Sequence, residues 1–208
     1  MSSSRTFSKL VGNARFKLLD AACDIVRVKG FAATSVDELC AAAGVTKGAF
    51  FHHFASKEAL GVAAADYWSA TTSELFASAL YHELTDPLDR VMAYIDFRAE
   101  LLGGEIEEFT CLVGTMVQEV HSTSDAIRAA CDASISGHAA TLEADIAAAM
   151  AEHEVTGTTA ESLALHTQTV LQGAFILAKA KGGSAIAHDS IAHLKRYFTM
   201  LFKRGEGQ

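Results

Sequence analysis

Proline occurs once in the 208 residues, and no apolar run approaches the roughly 18 residues needed to cross a bilayer. No alternating β-branched stretches lie between turn residues, so strands are not expected. The four cysteines, Cys23, Cys40, Cys111 and Cys131, form no CxxC pair, and the nine histidines show no ligand spacing. That excludes a disulfide scaffold and a zinc site; buried, reduced thiols are expected, with no metal and no cofactor. His52 and His53 are adjacent and so point to different sides of a helix. A glycine phosphate loop, an HExxH pair and a serine elbow are all missing, so the chain does not read as an enzyme. The opening MSSSRTFSKLVGNARFKLLD lacks the apolar core of a signal peptide, and a cytoplasmic, non-membrane protein is expected.

Apolar residues make up 50% of the chain and alanine is abundant, which predicts an all-α fold with a substantial core. The net charge of −8 argues weakly against nucleic acid, but its distribution reverses the reading. Residues 1–60 hold eight Lys/Arg and five Asp/Glu, a net of +3; residues 61–208 hold nine and twenty, a net of −11. A basic end on an acidic body suits a protein that meets DNA at that end alone.

Periodicity and caps predict nine helices. The first runs from about Asn13 to Lys29 on an apolar face of Phe16, Leu19, Cys23 and Val26, and stops at Gly30. Ser35 opens the second, with Glu38 completing a capping box, and Gly44 ends it after two turns. Thr46 caps the third, KGAFFHHF, where Val45 and Phe50 form a hydrophobic staple. Phe50 and Phe54 share its inner face, leaving Lys47, Gly48, Phe51 and His52 outside. Ser56 caps a fourth helix reaching about Glu83, and Asp86-Pro87 opens a fifth to about Leu102. Later helices are expected over Thr110–His121, Ser124–His153, Thr159–Lys181 and Asp189–Lys203.

Two short helices joined by a glycine turn near a basic end point to a helix-turn-helix. The helices must cross closely, so a small residue is needed four positions before Gly44; Cys40 stands there, and Val45 plugs the joint. The second helix can then offer its first turn and Lys47 to the major groove and phosphates.

Residues 30–60, GFAATSVDELCAAAGVTKGAFFHHFASKEAL, resemble the DNA-binding signature of the TetR family of transcriptional regulators. The likeness covers the Gly-Phe after the first helix, the Thr-Ser cap, the Ala-Gly-Val turn, the Lys-Gly start, the His-Phe and the Ser-Lys-Glu-Ala-Leu opening of helix four. It implies an N-terminal three-helix helix-turn-helix domain (residues 1–55) and a six-helix C-terminal domain for effector binding and dimerisation (residues 56–208). It also implies roles. Thr34 and Ser35 would touch the DNA backbone. Thr46, Lys47, Gly48 and Phe51 would face the groove, with His52 or His53 near bases or phosphates, and Lys57 would bind phosphate. Two residues depart from the family pattern: Phe51 replaces a usual tyrosine, so a phosphate-binding hydroxyl is missing, and Cys40 replaces a usual alanine. Phe51 is left to contact a thymine methyl or to pack.

By the same resemblance, a small effector would lie among helices four to eight, with Trp68, Tyr94, Phe97, Arg98, Met116, Gln118 and Glu119 as candidates. Arg98 could recognise an anion, although pairing with Asp96, Glu105 or another acid is the favoured reading. Cys111, in FTCLVGTMVQEVH, could serve a redox- or electrophile-sensing regulator, but its apolar neighbours favour a buried structural thiol. In the last two helices, Ala160, Ala164, Leu171, Ala174 and Ala178, then Ile191, Leu194, Phe198 and Leu201, form apolar stripes. They could bury within the chain; the family likeness implies pairing with a second copy, which matches palindromic double-stranded operator DNA.

Overall fold

The computed structural model describes residues 13–203. Its described residues form α-helices and one 3-10 turn, with no strand and no helix long and apolar enough to cross a membrane. The helices are α1 Ala14–Lys29, α2 Val36–Ala43, α3 Lys47–His53, α4 Lys57–Ala77, α5 Pro87–Glu100, α6 Ile106–Phe109, α7 Leu112–Val120, α8 Asp125–Ala140, α9 Glu143–Glu152, α10 Ala160–Lys181 and α11 Ala185–Lys203. They divide into two compact units, one comprising the chain up to Thr71 with Cys111–Ser134, the other the remainder. The division falls inside α4.

The first unit grows from its caps. Asn13 accepts from Arg15 N, Ser35 and Glu38 close the capping box, and Thr46 accepts from Ala49 N, each opening a helix where the sequence expects one. Gly44 ends α2 in the left-handed conformation (φ 63, ψ 39), where a β-carbon is disfavoured. Its core gathers Leu18, Leu19, Cys23, Val26, Leu39, Cys40 and Phe50, all nearly inaccessible. The three thiols Cys23, Cys40 and Cys131 are buried, which pushes Cys23 and Cys131 up to about 12 and keeps them as inert packing groups. Cys111 differs: it is half-buried and sits at the N-cap of α7.

In the second unit the helices part from the sequence expectation in four places. The fourth helix stops at Ala77, and Leu80–Glu83 is a 3-10 turn. The Tyr81 hydroxyl donates to Phe76 O at 3.3 Å and His82 Nε2 also meets it, so burying Tyr81 folds the chain back without glycine or proline. The helix expected from Ser124 to His153 breaks at Thr141–Leu142, where both Thr141 N and its hydroxyl take His138 O. Ile106–Phe109, expected as loop, makes one helical turn, and α11 begins at Ala185, before Asp189.

The last two helices bury the stripes singled out in the sequence against their own chain: Leu171, Ala174, Ala178, Ile191 and Leu194 are nearly inaccessible, and Phe198 is 0% exposed. A different face carries the exposed apolar groups, Leu165, Ile176, Leu177, Tyr197 and Met200.

Candidate nucleic-acid interface

Around the start of α2, most side chains that sequence alone offers to DNA are held by the protein. Ser35 Oγ accepts from Glu38 N at 3.2 Å, and Glu38 Oε2 accepts from Ser35 N at 2.9 Å. Lys29 pairs with the same carboxylate; this bond and those from Ser35 hold Glu38 down to about 2. Thr34 is 1% exposed, and its hydroxyl donates inward to Gly30 O at 2.6 Å. Expected at the DNA backbone, the Thr34 side chain instead lies inward here and braces the turn between α1 and α2.

Lys57, expected at phosphate, is also engaged within the chain. Its ammonium donates to the carbonyls of Phe31 (2.8 Å), Ala32 (3.3 Å) and Thr34 (2.7 Å) and lies 4.6 Å from the Phe31 ring centroid. An ammonium has three protons, so its donors are committed to that turn. Burial pulls its pKa below the usual lysine value.

Glu119, taken from sequence as an effector residue, closes the turn from the other side. Its carboxylate accepts from Ala32 N at 2.7 Å. Gly30 has φ 90, and a β-carbon there would lie 1.9 Å from Glu119 Oε1. Glycine is thus required twice, by backbone conformation and by the close carboxylate.

The outer face of α3 has the opposite character. Lys47 is exposed and paired with Asp37 at 2.7 Å, a bond that raises its pKa. Phe51 is 56% exposed, its ring near perpendicular to that of buried Phe50 with centroids 5.1 Å apart. His52 is exposed and His53 half-buried, their rings 4.9 Å apart. Gly48 lies between Lys47 and these rings, and a β-carbon added there would meet nothing closer than Thr46 Oγ1 at 3.7 Å. Glycine in a helix costs up to about 1 kcal/mol relative to alanine. Among the described residues no contact asks for it at this position.

The other expected effector residues fall as follows. In the first unit, Trp68 lies under the Arg27 guanidinium (5.1 Å), Met116 is fully buried, and Gln118 donates to Gly114 O of its own helix at 2.6 Å. In the second unit, Tyr94, Phe97 and Arg98 converge with Phe76, Tyr81 and His138, and the Gln168 amide donates to Tyr94 Oη at 3.3 Å. Sequence reasoning missed His138 and Gln168. A signal existed for Gln168: with Thr167 it interrupts the core stripe of Leu163, Ala164 and Leu171. Among the described residues no group of three or more His, Cys, Asp or Glu could hold a metal.

Residues 18–64 match the model of bacterial regulatory proteins of the tetR family, and residues 87–189 match that of the C-terminal domain of LmrA/YxaF-like transcriptional regulators. The HTH-type transcriptional repressor DhaR of a Mycobacterium species is 29% identical over 114 residues, 55% of this chain and 56% of that protein. The repressor NemR of Escherichia coli is 31% identical over 55% of this chain and 57% of its own length. The chain thus matches little more than half the length of these curated relatives. In three dimensions the likeness is longer. The crystal structure of reduced E. coli NemR superposes with a TM-score of 0.76 at 26% identity, covering 88% of this chain and 95% of that one. A TetR regulatory protein from Rhodobacter sphaeroides gives 0.77 at 25% identity, covering 90% and 97%.

Proposed function

The chain belongs to the TetR family of bacterial regulatory proteins, and on that premise we propose that it is a transcriptional repressor: a homodimer that binds palindromic operator DNA in the cytoplasm and is released by a small-molecule effector. The observation that carries the DNA-binding reading is Gly48. A glycine where a β-carbon would clash with nothing, on an exposed helix face beside Lys47 and Phe51, is explained by a partner whose backbone comes close. Thr46, Lys47, Gly48, Phe51 and His52 form the groove-facing set, with Ser35 and His53 at its margin. Lys47 exchanges Asp37 for phosphate, and Phe51 meets a thymine methyl in the major groove. Thr34, Lys57 and Glu119 hold the turn that fixes α2.

The exposed face of α10 and α11, with Leu165, Ile176, Leu177, Tyr197 and Met200, supports pairing with a second copy. Two recognition helices then meet half-sites about 34–36 Å apart, or a multiple of it. The effector shifts this separation, and by linkage operator DNA weakens effector binding by the same factor. The test is to select duplexes from a random pool and measure binding by fluorescence anisotropy. Enrichment of a palindrome by a dimer supports the reading; retention without sequence preference, or by a monomer, contradicts it.

A second reading uses Cys111 as an electrophile sensor. It is favoured by one observation: Cys111, whose Sγ accepts from Gly114 N at 3.4 Å at the head of α7, is a half-buried residue where the other three cysteines are buried. Iodoacetamide that labels Cys111 and releases DNA, with Cys111→Ser resistant, would support it. Labelling that leaves DNA binding unchanged removes it.

A further inference from the structure

The second unit buries a polar cluster that DNA binding does not use. Tyr94 is 1% exposed, and its hydroxyl lies 2.9 Å from His138 Nε2. Gln168 Nε2 donates to that hydroxyl, which leaves the phenolic proton for the imidazole. Burial, reinforced by the Arg98 guanidinium, pushes His138 down to about 4, so the imidazole is neutral near pH 7. Arg98 follows Tyr94 by one helical turn on α5 and is half-buried.

Arg98 is the unusual member. Its guanidinium lies 5.1 Å from the Phe76 centroid and 5.7 Å from that of Phe175, and it has no ion pair among the described residues. Asp96, two residues before it, is taken by Lys195 at 2.6 and 2.7 Å. The pairing favoured from sequence is therefore absent. Half-buried between two aromatic faces and hydrogen-bonded to Tyr94, Arg98 keeps guanidinium N–H groups that no carboxylate of the described residues takes, and an incoming anion would complete them.

We propose that Arg98, with Tyr94, His138 and Gln168, is the recognition site for an organic monocarboxylate with a flat aromatic body. This deepens, and rests on, the ligand-responsive reading above. The guanidinium fork matches a carboxylate in two parallel hydrogen bonds, and the second N–H of the Gln168 amide supplies a further donor. Phe76, Tyr81 and Phe97, with centroids 5.6 to 6.0 Å apart, supply an aromatic wall for the body. The cluster holds a single cation, which balances one negative charge. A phosphate ester carries close to two and would be left under-compensated.

The test uses the full-length protein without DNA and four probes: benzoate, trans-cinnamate, and the neutral amides of each. Isothermal titration calorimetry should show a carboxylate binding about tenfold or more tightly than its amide. Arg98→Gln should erase that preference, and Arg98→Lys should restore part of it. Equal affinity of acid and amide, a preference that survives Arg98→Gln, or no binding by any probe overturns the proposal. The acid-to-amide comparison on the unmodified protein decides the matter even where a variant fails to fold. Operator affinity is measured separately on the same preparation. Intact operator binding without carboxylate binding defeats this site and leaves the repressor reading standing. Carboxylate binding by a protein that ignores DNA does the reverse.

Discussion

Lys47 and Lys57 occupy the same local position, the first residue of a helix after a hydroxyl cap, Thr46 in one case and Ser56 in the other. One ends exposed beside Asp37, while the other is spent on three carbonyls of the turn between α1 and α2. The same contrast separates the two glycines. Gly30 is required by the chain's own conformation and contacts, whereas Gly48 is not. What separates a bracing residue from a binding residue is tertiary, and it divides the helix-turn-helix into a held α1–α2 turn and an open α3 face.

The largest expected effect breaks the held side. Gly30→Ala forces φ 90 on a residue with a β-carbon and drives out the Glu119 carboxylate. Backbone strain together with an unsatisfied Ala32 N–H should cost about 3–5 kcal/mol, read from urea unfolding. A loss under 1 kcal/mol would show that the turn is not held as described.

His138 sharpens the contrast with the second unit, where a group is placed by burial and not by a cap. Its folded-state value near 4 lies below the ordinary histidine value of about 6.5, so the unfolded chain binds the proton first as pH falls. The stability gained from a neutral imidazole is present above pH 6.5 and is lost as pH drops toward 4. The loss approaches about 3 kcal/mol at pH 4. His138→Gln should flatten that part of the stability profile; an unchanged profile would remove His138 as its source.

A smaller effect separates the two lysines directly. Lys47→Ala should reduce the slope of log affinity against log salt by about one counterion per subunit. Lys57→Ala should leave that slope unchanged while lowering both the unfolding midpoint and operator affinity. Equal changes in slope for both variants would mean that Lys57 reaches phosphate after all.

The helix-turn-helix was legible in the sequence because its determinants are short-range: Ser35 with Glu38, Thr46 with Ala49, Gly44 in the left-handed region, and Cys40 four residues before it. That Lys57 and Glu119 hold the turn was not legible, because their partners are distant in sequence: Lys57 reaches the carbonyls of Phe31 and Thr34, and Glu119 reaches back 87 residues to Ala32. In the C-terminal helices, periodicity identifies a buried stripe but not what buries it. Leu194 and Phe198 turn into their own chain, while Tyr197 and Met200 stay exposed. The Arg98 cluster draws on α5, α8 and α10, so no spacing rule could have assembled it.

The open face is tested most directly by Gly48→Ala, with unfolding and operator binding measured on the same preparation. Alanine has room there and is the better helix former, so stability should hold or rise by up to about 1 kcal/mol. Affinity for the selected palindrome should fall about tenfold or more, because the added methyl group stands where the DNA backbone must approach. Undiminished affinity in a folded Gly48→Ala dimer would contradict the assignment of α3 as the DNA-contacting face.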